Sequence, residues 1–383
     1  MRRCAAMVAP LPIARAKLHA QTGDVNPGNR LPVRLVRQFK NAHLLDISFD
    51  STKLCLYTGR TGESFTWRGG IWTREGTDPG KVPLQVIEVG SWRVSYSVYL
   101  RDRVERASFF PDGKSVYAET TSFHTANEFV RQQVVVDLQT GLREENLRHE
   151  TPKGVSTFYS YALPNRTLLG EALNPRERFY ALVRSKLPGY SELQRMDISP
   201  REELGTLRGL SVSADRTALA YAVDHSIVCR RTTDFTVIWE RPVEPNLRVW
   251  KAAISPEGNR VAVAVVNTAY VEQQRDYYIA ILDGKDGTLL SKLPVNGDVG
   301  IDISPDGRLL AVSQRKKDAR PQRIRPTVHV YEVLSRQLVA TVSHDPVSTR
   351  DGYIWGLLQG RFTPNGKYLI TFGDEDTRVW EIG

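Results

Sequence analysis

Several things are scarce in this sequence, and each scarcity removes a class of protein. Three cysteines in 383 residues are too few for a disulfide framework. No apolar run approaches the roughly 18 residues that a spanning helix needs. The seven histidines, His19, His43, His124, His149, His225, His329 and His344, include no two at metal-ligand spacing and none set with Cys or carboxylates in a zinc pattern. There is no Gly-x-Ser-x-Gly elbow, no phosphate-binding loop and no glycine-rich dinucleotide fingerprint. Asp283–Gly287 (DGKDG) lacks the ligand spacing and closing glutamate of a calcium loop and reads as a turn. No catalytic residue, metal or cofactor is therefore expected.

Positive charge is in excess, at a net +9, but it is unevenly placed. Residues 1–40 carry eight cations against Asp24 alone, a net +7, which leaves +2 for the rest of the chain. That balance does not support a basic footprint on the folded body, so nucleic acid is not the expected partner. Residues 1–30 have two early arginines, an apolar stretch from Cys4 to Ala14 and small residues after it, the outline of a secretory signal. Pro10 and Pro12 break that stretch, and a disordered leader fits equally. Export and a cytoplasmic location both stay open.

What the chain does have is a repeat. Asp298–Ser313 (DVGIDISPDGRLLAVS) reads as strand, tight turn, strand. Close copies are Arg106–Ala118, Trp250–Val263 and Leu358–Thr371; weaker ones are Leu44–Tyr57, Tyr159–Gly170 and Gly209–Tyr221. Aligning the turns puts Phe49, Pro111, Pro164, Ala214, Pro256, Pro305 and Pro364 in one column, separated by 62, 53, 50, 42, 49 and 59 residues. Strand signals at that period predict a propeller, and seven copies predict seven blades.

The predicted fold is all-β, a single seven-bladed β-propeller over residues 31–383. Leu31–Phe39 alternates apolar and polar residues and belongs to no complete blade. Arg378–Ile382 would be the third strand of a blade without its fourth. Pairing 31–40 with 352–383 would complete the last blade and remove two open sheet edges. Val134–Gly141, Thr236–Glu240, Ile279–Gly287 and Val328–Ser335 read as further third strands, each apolar, then acidic, then turn.

With IWE at Ile238–Glu240 and VWE at Val379–Glu381, the chain resembles the WD40-like propellers, and its Ser-Pro-Asp-Gly turns resemble bacterial propellers of YVTN or TolB type. It has no Gly-His dipeptide and no Trp-Asp. The resemblance covers about residues 31–383 and implies a fold. The functions found on that fold range from interaction scaffolds, the leading expectation here, to hydrolases or lactonases with a polar site in the central channel and partners of redox enzymes.

Length variation falls mainly between second and third strands, at Gly59–Pro83, Thr120–Gln132, Asn267–Asp276 and Gln314–Pro326, with Ser343–Gly352 also long. Loops held on a rigid scaffold are where binding residues gather. Gly59–Pro83 carries Phe65, Trp67, Ile71 and Trp72 among arginines, the composition of interface anchors. Gln314–Pro326 carries Arg315, Lys316, Lys317, Arg320, Arg323 and Arg325 against Asp318. Such a run attracts an acidic protein surface, another acidic polymer or phosphate, or else is a solvated tip.

Three residues before each turn column stand Asp46, Ser108, Tyr161, Ser211, Ala253, Asp302 and Arg361, and the column after them is wholly apolar. Alternation along a strand turns the first column toward the axis. Asp46, Asp302 and Arg361 are the channel candidates, either an ion-pair network fastening the closing blade or a polar ligand pocket.

Overall fold

In a computed structural model, the described residues are 31–58, 64–68, 71–75, 82–100, 104–125, 128–150, 156–174, 179–198, 208–223, 226–244, 247–267, 277–295, 300–317, 323–345, 347–348, 358–373 and 376–383. Among them there are strands and turns and no helix. Seven antiparallel sheets with four strands along each main path make the chain a seven-bladed β-propeller. The strands of each blade are lettered a to d in sheet order.

Blade one is Ala42–Ile47, Lys53–Thr58, Val82–Glu88 and Arg93–Leu100; blade two is Val104–Phe109, Ser115–Thr125, Glu128–Asp137 and Arg143–Glu150. Blade three is Ser156–Leu163, Thr167–Asn174, Phe179–Lys186 and Ser191–Ile198; blade four is Arg208–Val212, Ala218–Val223, Ser226–Arg231 and Val237–Pro242. Blade five is Leu247–Ile254, Arg260–Asn267, Tyr277–Asp283 and Leu289–Val295; blade six is Gly300–Ile303, Leu309–Lys317, Arg323–Glu332 and Leu338–Ser343. Blade seven is Gln359–Phe362, Tyr368–Phe372 and Asp376–Ile382, and its d strand is Val33–Lys40.

That last strand runs antiparallel to Asp376–Ile382, from Val33 opposite Ile382 to Lys40 opposite Asp376. Arg34 pairs with Glu381 at 2.5 Å, and the Gln38 amide donates to Asp376 at 2.6 Å. By compactness the chain divides into Met1–Pro32 with Arg201–Phe362, and Val33–Pro200 with Thr363–Gly383.

The a–b turns explain the repeat. In Ser-Pro-Asp-Gly of blade six, the Ser304 hydroxyl donates to Asp306 at 2.6 Å and accepts from the Leu309 N–H at 2.8 Å. Asp306 also accepts from the Arg308 N–H at 3.0 Å, and Gly307 takes a φ of 71°. The hydroxyl and carboxylate thus replace backbone partners that a tight turn cannot supply. Thr363 with Asn365, Ser48 with Asp50 and Ser213 with Asp215 repeat the contact at 2.8, 2.7 and 2.5 Å. The weaker copies all lack the glycine: Ser51, Arg166 and Arg216 hold positive φ there, which costs a side-chain-bearing residue about 1 kcal/mol.

Apolar faces pack blade against blade. In the second unit, Tyr57, Val86 and Val98 of blade one meet Phe109, Val116 and Val134 of blade two, and Leu54, Leu56 and Ile87 meet Tyr368, Ile370 and Val379 of blade seven. In the first, Ile227 and Trp239 of blade four meet Val249, Val261 and Val263 of blade five. Ile279 and Ile281 of blade five meet Ile301, Leu310 and Val312 of blade six. Middle strands such as Lys53–Thr58, Ala218–Val223 and Tyr368–Phe372 are buried on both faces, so single large-to-small changes there cost about 2–5 kcal/mol.

Two assignments differ from the sequence reading. Thr236–Glu240 supplies strand d of blade four, not strand c; the third strand is Ser226–Arg231. Trp239 sits in an outer strand because its indole N–H donates to the Gly284 carbonyl of blade five at 2.7 Å. The second concerns the supposed loops. Thr120–Gln132 and Gln314–Pro326 are largely strand, prolonging the b–c hairpins of blades two and six. β-branched residues such as Thr120, Thr121 and Val130 favour the extended backbone that keeps the ladder going.

Candidate functional site

The basic segment is the far end of the blade-six hairpin. Strands b and c remain paired from Leu309 opposite Glu332 out to Lys317 opposite Ile324, whereas strand d covers strand c only from Thr327 to Tyr331. Beyond that, Arg315 lies opposite Pro326, and Lys316 lies opposite Arg325. Two positions along, Arg323 pairs with Ser348 of the short strand Val347–Ser348. Like charges directly opposite on a ladder are destabilising. Arg325 is exposed, and Arg320 lies outside the described residues.

The aromatic segment is a separate two-stranded hairpin, Ser64–Arg68 with Ile71–Glu75, inserted between strands b and c of blade one. Trp67 is opposite Trp72, and Phe65 is opposite Arg74. The insertion Asn267–Asp276 lies, apart from Asn267, outside the described residues.

The inner-strand column has a definite job. Asp46 accepts from the Phe109 N–H at 2.9 Å, Ser108 from Ala162 at 3.1 Å, Ser211 from Ile254 at 3.2 Å and Asp302 from Phe362 at 2.7 Å. Each acceptor stands on strand a of one blade, and each donor is the residue after the column position in the next. The short polar side chains of the column are therefore blade-to-blade ties, satisfying a backbone N–H that no ladder reaches.

Asp302 and Arg361 belong to the same compact unit, and the sequence reading missed a third member there, Lys251 on strand a of blade five. Burial raises the Asp302 carboxyl to about 6, against the pull of the Phe362 N–H, Arg361 and Lys251. Burial lowers the Lys251 ammonium, and the neighbouring Arg361 charge adds to that, while Asp302 opposes it. All three remain half-buried. Lys251 stands two residues before the column, a position that the column alignment did not sample. Asp46 belongs to the other unit.

Elsewhere, Glu119 and Arg131 form a fully buried ion pair at 3.0 Å in blade two. Tyr117 donates to the same carboxylate at 2.8 Å and Gln133 at 3.1 Å. Burial raises the thiols of Cys55 and Cys229, the latter to about 12, which keeps both protonated and unreactive. His43 and His124 lie on strands rather than in loops, and the His43 ring meets the Gly373 carbonyl at 3.2 Å. His344 is buried; His225 lies outside the described residues. Among the described residues no group of three or more His, Cys, Asp or Glu could hold a metal ion, and no helix is long and apolar enough to cross a membrane.

No protein-family model matches the chain, and no curated protein does. Among the solved structures it resembles is a β-propeller domain. It matches the β-propeller domain of Cps50 (Swd1) from Myceliophteria thermophila at 11% identity and a TM-score of 0.57, over 92% of this chain and 100% of that one. A chain of the mitotic checkpoint complex matches at 13% identity and a TM-score of 0.55, over 97% and 98%. Hydrazine synthase from Kuenenia stuttgartiensis matches at 14% and 0.52, over 85% and 91%. At such identities the likeness is one of fold.

Proposed function

We propose that this protein is a non-enzymatic interaction scaffold that binds an acidic protein partner through its b–c hairpins. The register of the blade-six hairpin carries the reading. Lys316 stands opposite Arg325, and Arg315 and Lys317 flank it along the ladder, past the point where strand d stops covering the hairpin. Such an arrangement weakens the hairpin by itself, and a carboxylate-rich surface laid against it would relieve the repulsion. The blade-one hairpin, with Phe65, Trp67 and Trp72, adds aromatic anchors of the kind that dominate interface energetics. Likeness to a chain of the mitotic checkpoint complex supports an assembly role by analogy of fold.

The test is affinity capture with the full chain against a variant in which Arg315, Lys316, Lys317, Arg320, Arg323 and Arg325 are all changed to Gln. The expected result is a set of acidic proteins held by the natural chain, released by salt and lost from the variant. Recovery of the same proteins by both baits would overturn the role of the hairpin.

A further inference from the structure

We infer that the outer strand of blade one, from Tyr96 to Leu100, is a self-association edge, along which a second copy of this chain pairs so that two four-stranded blades become one continuous sheet. The inference concerns a surface other than the basic hairpin and does not rest on the scaffold reading.

A strand d ends its blade with a row of backbone N–H and C=O groups open to another chain, and proteins protect such edges with charge, proline or cover. Here the protection is nearly uniform. Glu145 of blade two, Arg195 of blade three, Glu240 of blade four, Lys292 of blade five and Arg37 of blade seven each put a charge within the outer strand. Blade six has an uncharged one, Leu338–Ser343, and there the Leu31 N–H donates to the Val339 carbonyl at 3.0 Å, so the chain's own early segment meets that edge. Blade one has neither device. After Arg93 its outer strand reads Val-Ser-Tyr-Ser-Val-Tyr-Leu, without charge or proline, and among the described residues strand c is its only partner.

The geometry suits pairing with an identical strand. The bulge at Ser95 disturbs only the start; from there Tyr96 to Leu100 run in regular register opposite Val86 to Val82. Val98 and Leu100 are buried in the cluster shared with blade two, and Tyr96 packs against it, which holds the strand rigid. Ser97 and Tyr99 face the other way and are exposed, Tyr99 by 57%. Alternate residues turn their N–H and C=O away from strand c. An antiparallel pairing centred on Val98 would satisfy that row, set Tyr99 opposite Ser97 of the second copy and cover the exposed ring. No like charges would meet, whereas an outer strand carrying Glu or Arg at its middle would oppose itself. Each chain offers one such edge, so association closes as a two-fold dimer rather than growing into a filament.

The experiment is analytical ultracentrifugation of the full chain over a range of concentrations. A monomer–dimer equilibrium is expected. Ser97→Lys and Tyr99→Lys, made separately, should each weaken it at least about tenfold by placing a charge on the edge. Both positions are exposed, and unchanged circular dichroism checks that each variant is folded. Leu193→Lys, at a 49% exposed position on the outer strand of blade three, should leave the equilibrium unchanged. The inference is overturned if the natural chain is monomeric throughout, whatever other strand fills the edge, or forms open-ended aggregates. It is equally overturned if dimers persist undiminished in both edge variants, or are weakened as much by Leu193→Lys. The scaffold reading survives any of these results, because its own test changes different residues.

Discussion

The carboxylate of Asp302 receives the backbone N–H of Phe362 at 2.7 Å, which ties the inner strand of blade six to that of blade seven through a single oxygen. The same carboxyl is raised to about 6, because burial outweighs the N–H and the two cations beside it. One group is thus both a fastener and a titrating site.

The consequence is a pH-dependent stability. A carboxyl whose native pKa lies above its unfolded one binds more protons in the native state between those values. Its contribution is complete below the unfolded pKa and is lost as pH rises through about 6. Asp302→Asn keeps an oxygen for Phe362 and abolishes the titration. Relative to that variant, the natural protein should lose roughly 1–3 kcal/mol between pH 4 and pH 7. Urea unfolding of both across this range measures it, and a constant difference would refute it.

The buried pair in blade two offers a larger effect. Arg131→Met leaves the Glu119 carboxylate enclosed with only Tyr117 and Gln133 as donors. The expected loss is about 3–5 kcal/mol. Changing Glu119→Leu together with Arg131→Met should recover much of it, since no stranded charge then remains. Denaturant midpoints of the single and double variants test both statements.

Glycine at 209 answers to close approach rather than to a turn. Its φ is 67°, and a side-chain carbon there would come within 2.2 Å of the Ala252 nitrogen and 2.7 Å of the Lys251 Cα. Gly209→Ala should cost upwards of about 2 kcal/mol. Gly90→Ala, with φ of 97° and nothing within 4 Å, should cost about half that. Similar melting temperatures for the two variants would contradict the proposed blade-to-blade contact.

The fold was written locally and repeatedly, which is why it could be read. Ser304, Pro305, Asp306 and Gly307 specify a turn by their own hydrogen bonds and φ, and even Ser48–Ser51, without proline or glycine, keeps the hydroxyl–carboxylate contact. The antiparallel pairing of Val33–Lys40 with Asp376–Ile382 was anticipated from alternation at one end and an unfinished blade at the other. Strand order in blade four was misread, because Ile238–Glu240 mimics a third-strand ending whereas its tryptophan is placed by a carbonyl in the next blade. Extended hairpins looked like loops because their polar and charged runs carry no apolar alternation. Lys251 escaped notice because a partner supplied by another blade leaves no mark on local spacing.

Blade seven joins residues far apart in the chain, Arg34 and Glu381 being separated by 347 positions. Closing so long a span costs little more entropy than closing a shorter one, since the penalty grows only logarithmically. Its cost is in time. During synthesis Val33–Lys40 must remain without its neighbour until nearly the whole chain has emerged, an apolar-alternating strand with an open hydrogen-bonding edge. Interrupted translation would therefore release a chain that still bears this adhesive edge, and the most vulnerable moment for aggregation comes just before the final strand arrives.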